Sequence, residues 1–82
     1  MYLAKIMITL RKSILDPQGK AVHHALQSLR IQEVQEVRIG KFIEMKINST
    51  EEGRAKQVTE EACRKLLANP VMEDFTFSVE EV

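Results

Sequence analysis

Eighty-two residues suffice for one domain, spanning residues 1–82, and a chain this short removes only roughly 60–65% of its unfolded surface from water. Twelve Lys and Arg balance twelve Asp and Glu, which argues against a dedicated nucleic-acid binder, because phosphate contacts demand a net basic domain. The single cysteine leaves no internal disulfide and suits a reducing cytoplasm. Met1-Tyr2-Leu3-Ala4-Lys5 lacks the long apolar run that a signal peptide or a membrane span needs.

Tyr2 to Leu10 alternates like a half-buried strand, with Ala4, Ile6, Ile8 and Leu10 on the apolar face and Leu3, Lys5, Met7 and Thr9 on the other. A helix start follows. Asp16 can accept from the free N–H groups of the first turn, and Pro17 fits the first helical position, where no N–H is needed. Val22, Ala25, Leu26 and Leu29 then recur at the spacing of a buried helix stripe, while Lys20, His23, Gln27 and Arg30 lie mostly away from it.

Val34 to Ile47 carries the strongest strand signal. Val37, Ile39, Ile43, Met45 and Ile47 share one parity, and only Lys41 and Phe42 break the alternation, just after Gly40. A glycine beside a parity fault predicts one long strand bent at a bulge. The alternative is a hairpin, disfavoured because neither Asn-Gly nor Asp-Gly is present at the turn. Ser49 with Glu52 three residues later matches a capping box that would open the second helix. Ala55, Val58, Ala62 and Leu66 mark its buried stripe, flanked by Thr59, Cys63 and Leu67, and Asn69-Pro70 ends it. Glu73 to Val82 closes the chain as a strand with Phe75, Phe77 and Val79 inward.

The order β-α-β-α-β predicts an α+β two-layer sandwich, a mainly antiparallel sheet covered on one face by both helices. Its edge strands need a partner, which another copy or another subunit would supply.

Catalytic chemistry is missing from the pattern. His23 and His24 are adjacent on a helix and point about 100° apart, so they do not form an i, i+4 metal pair. Cys63 sits beside an apolar stripe with no local base and reads as a small buried hydrophobe. Gly19 and Gly40 are isolated and build no phosphate-cradling loop. Neither catalytic nor cofactor-binding nor metal-binding residues are expected. Arg38, Gly40, Lys41 and Phe42, around the strand irregularity, are the candidate subunit interface. Arg38 and Lys41 are suited to an anion or an acidic patch.

Three segments carry a family resemblance: Leu15-Asp16-Pro17-Gln18-Gly19-Lys20-Ala21-Val22, Val37-Arg38-Ile39-Gly40-Lys41-Phe42-Ile43-Glu44 and Leu66-Leu67-Ala68-Asn69-Pro70-Val71. In order, spacing and chain length they resemble the small subunit of phosphoribosylformylglycinamidine synthase. The resemblance implies a part in converting formylglycinamide ribonucleotide to formylglycinamidine ribonucleotide with ATP and glutamine. ATP and magnesium would be used by a large synthase subunit, and ammonia released by a separate glutaminase subunit with its own cysteine. The small subunit would be a non-catalytic cytoplasmic adaptor, a homodimer or dimer of dimers that bridges the two and assists ammonia transfer. Neither nucleic acid nor membrane is an expected partner. One departure stands out: the family often has glycine just after the first helix, where this chain has Arg30. The helix is therefore expected to run further or to end without a left-handed cap. The competing expectation is a free-standing dimeric regulatory module that binds a small metabolite, by fold analogy alone.

Overall fold

A computed structural model describes all 82 residues, Met1–Val82. β1 (Tyr2–Leu10) is the central strand, because both of its edges are taken by antiparallel neighbours. β2 (Gly40–Ile47) and β3 (Glu73–Glu81) flank it in the order β2-β1-β3, and Ile6 sits opposite both Ile43 and Phe77. Ala4, Ile6 and Ile8 are fully buried, as their alternation requires. The α+β class, the antiparallel pairing and the inward parity of all three strands are as expected from sequence.

Helix α2 (Glu52–Ala62) continues through a π-helical turn over Cys63–Leu67 and packs on β1 and β3. Its buried line is Ala55, Thr59 and Cys63, not the expected Val58, Ala62 and Leu66. Small side chains let the helix backbone approach the large Ile6 and Ile8 closely. The Thr59 hydroxyl is satisfied by donating to the Ala55 carbonyl at 2.8 Å. The wider π turn, closed by Ala68 N–H to Cys63 O at 2.9 Å, then adds a residue to the helical period. Leu67 and Ala68 come to the core as a result, and Leu66 is left 82% exposed.

The Ser49–Glu52 capping box does not form. Ser49 Oγ accepts from Glu51 N–H and donates to Glu51 O, both at 3.1 Å. Glu51 is thereby held extended, so it stands at the N-cap position and the helix begins at Glu52. Glu52 is turned instead toward Lys56, 3.8 Å away.

Two further corrections concern the first helix and the segment before β2. α1 (Pro17–Ser28) does not cover the sheet: Gly19 is its only buried residue. Residues 34–39 are neither the first half of a bent strand nor one arm of a hairpin. The sheet ends at the Thr9–Gly40 pair, so no strand lies beside them, and their polar backbone groups bond to α1 instead. α1 and this segment together form an arm beyond the end of the sheet, and the chain measures 50 × 27 × 14 Å. The arm helix ends in a full left-handed cap despite its arginine. Arg30 has φ 65, its N–H donates to Gln27 O at 2.9 Å, and Ile31 N–H donates to Leu26 O at 3.0 Å. No helix is long and apolar enough to cross a membrane.

Candidate assembly surface

The root of the arm is a clip built by two of the residues expected to matter. Asp16 caps α1 as its sequence requires: Oδ1 accepts from Gly19 N–H at 2.9 Å. Its second oxygen, Oδ2, accepts from Ile39 N–H at 2.7 Å, which ties the helix start to the segment leading into β2. The Ile39 and Gly19 N–H groups, helped by the nearby Arg38 charge, hold the Asp16 carboxyl below its ordinary range against the opposing effect of its burial. Arg38 reaches back and donates to the carbonyls of Arg11 and Ile14, each at 2.9 Å. His23 Nε2 lies 2.8 Å from Val34 O, and with a carbonyl as partner that nitrogen is the protonated one. A Cβ on Gly19 would overlap the Val37 carbonyl oxygen, so glycine is what lets the two segments touch.

The four candidate interface residues do not form one patch. Arg38 belongs to the clip. Gly40 admits the close approach of β1, since a Cβ there would lie 2.7 Å from Ile8 O. Lys41 shares the parity of Ile43 on the helix-covered face and pairs with Glu73 at 3.5 Å. Phe42 lies on the opposite face, directly across from Met7, and these two are 59% and 57% exposed. Met7 was missed because a single methionine in a strand carries no chemical signal; only its pairing with Phe42 makes an apolar spot.

Cys63 is buried, and that burial pushes its thiol up, away from the thiolate that a nucleophile needs. A groove of about 580 Å³ lies between the end of α2 and β3. Its charges are already matched, Arg11 with Asp74 at 3.3 Å and Arg64 with Glu60 at 3.1 Å, and the Arg64 guanidinium lies over the Phe75 ring. The chemistry available here is recognition and assembly.

The model of the phosphoribosylformylglycinamidine (FGAM) synthase PurS family matches residues 3–81. The chain belongs to the PurS family. It is similar to the phosphoribosylformylglycinamidine synthase subunit PurS of Bacillus subtilis, 49% identical over the whole chain and 96% of that protein. The subunit from Methanocaldococcus jannaschii is 39% identical over the whole chain and 99% of that protein. The crystal structure of B. subtilis PurS superposes with a TM-score of 0.87, covering 99% of this chain and 100% of that one. That of M. jannaschii PurS, one of the subunits of formylglycinamide ribonucleotide amidotransferase, gives 0.89 over 100% and 99%. PurS proteins are subunits of this synthase in purine biosynthesis, and this chain is one of them. The expectation of an enzyme subunit drawn from the three segments therefore holds.

Proposed function

We propose that the chain is the non-catalytic adaptor of its synthase: it self-associates and bridges the large synthase subunit and the glutaminase subunit. ATP and magnesium would be used by the large subunit and glutamine by the glutaminase. The observation that carries this reading is the arm. α1 is held out from the sheet by the clip with Val22 and Leu29 uncovered, an arrangement suited to contact with other chains. The inward-buried, unactivated Cys63 supports a division of labour in which a partner supplies the nucleophile. Assistance to ammonia transfer would come from the same bridging position.

Reconstitution tests it. The purified chain alone is expected to show neither glutaminase nor ATP-dependent synthase activity, and adding it to the two partner subunits is expected to restore glutamine-dependent turnover. Full turnover by the two partners without this chain would overturn the reading.

A further inference from the structure

The fold contains one helix without a seat and one seat without a helix. α1 turns Gly19, His23 and Leu26 toward residues 34–37, and its next face, Val22, Ala25 and Leu29, is open to solvent. Val22 is 41% and Leu29 70% exposed. On the sheet, α2 covers β1 and β3, leaving the inward side chains of β2 (Ile43, Met45 and Ile47) with no helix over them and only half buried. The lengths agree. Val22 to Leu29 spans about 10 Å of helix, and Ile43 to Ile47 about 13 Å of strand.

We infer that α1 of one copy seats on the inward face of β2 of a second copy, through Val22, Ala25 and Leu29 against Ile43, Met45 and Ile47. This inference rests on the self-association in the adaptor reading and specifies its geometry. A helix cannot reach its own seat here, because Asp16, His23 and Arg38 tie the arm to residues 34–39 and to the turn after β1, beyond the sheet end. The radius of gyration of 16.3 Å exceeds the roughly 12 Å of a compact chain of this length, as an arm made for another molecule requires. Only ten of 82 residues are buried, so a single copy has a core too small to leave two apolar stripes unused. The exchange is reciprocal under a two-fold axis. Each copy gives one helix and receives one, both seats fill, and assembly through this contact closes at two chains.

Site-directed cross-linking tests this arrangement. In a Cys63→Ala background, chains carrying Val22→Cys are co-expressed with chains carrying Met45→Cys, and Leu29→Cys with Ile43→Cys, then treated with a mild oxidant and weighed natively and after denaturation. The expected result is a covalent species of twice the chain mass in at least one mixture, absent when either variant is expressed alone. A native dimer that cross-links in neither mixture would overturn the helix exchange and leave self-association standing. A monomer at tens of micromolar would overturn both.

Discussion

Arg30 holds a backbone conformation (φ 65) that costs a residue with a Cβ about 1–2 kcal/mol. The cap hydrogen bonds to Gln27 and Leu26 compensate for it, which is why the helix neither runs on nor ends loosely. Arg30→Gly is therefore expected to raise stability by about 0.5–1 kcal/mol once the greater freedom of an unfolded glycine is deducted. In a domain this small that is a rise of a few degrees in melting midpoint. A fall would show that the arginine side chain does work that the strain supports. Asp16 behaves in the opposite sense. Its folded carboxyl titrates lower than an unfolded one, so its stabilisation is complete above the unfolded value near 3.8 and is lost as pH falls through the lower folded value. Asp16→Asn keeps the shape but removes one of the two acceptors. Melts across about pH 2.5–7 are expected to show the variant several degrees lower at neutral pH, with the gap closing below about pH 4. A gap constant with pH would mean that the carboxylate charge plays no part in the clip.

At the scale of elements, the clip and the sheet are separately supported. β1 is buried on its inward face and bonded on both edges, whereas α1 is tied down by a few polar contacts at its root. The Arg38 fork is the link that sets the arm's direction, since it joins residue 38 to both ends of the Arg11–Ile14 turn. Arg38→Ala is thus expected to speed amide exchange in residues 12–16 and 34–39 about tenfold or more, with β1 and β3 unchanged. The same variant is expected to assemble less well with the large synthase subunit while remaining folded. Equal exchange in both segments would remove Arg38 as the positioning residue.

Across the whole molecule, what was legible in the sequence is what short-range rules govern. The parity of Ala4, Ile6 and Ile8, and of Phe75 and Phe77, dictated two strands because alternation along a strand needs no knowledge of neighbours. Asp16-Pro17 dictated the start of α1 because capping is a contact across three residues. Three motifs dictated the family. Tertiary structure alone decided the rest. Residues 34–39 have a strand pattern, yet a strand needs an adjacent strand, and β1 stops at Leu10. The stripe of α2 was displaced because close packing on Ile6 and Ile8 favours the small Ala55, Thr59 and Cys63, and a π turn changes the period after them. The stripe of α1 is apolar in sequence and bare in the folded chain. Hydrophobic periodicity states that a face is to be buried, but which molecule buries it depends on where the clip at Asp16 and Arg38 points the helix.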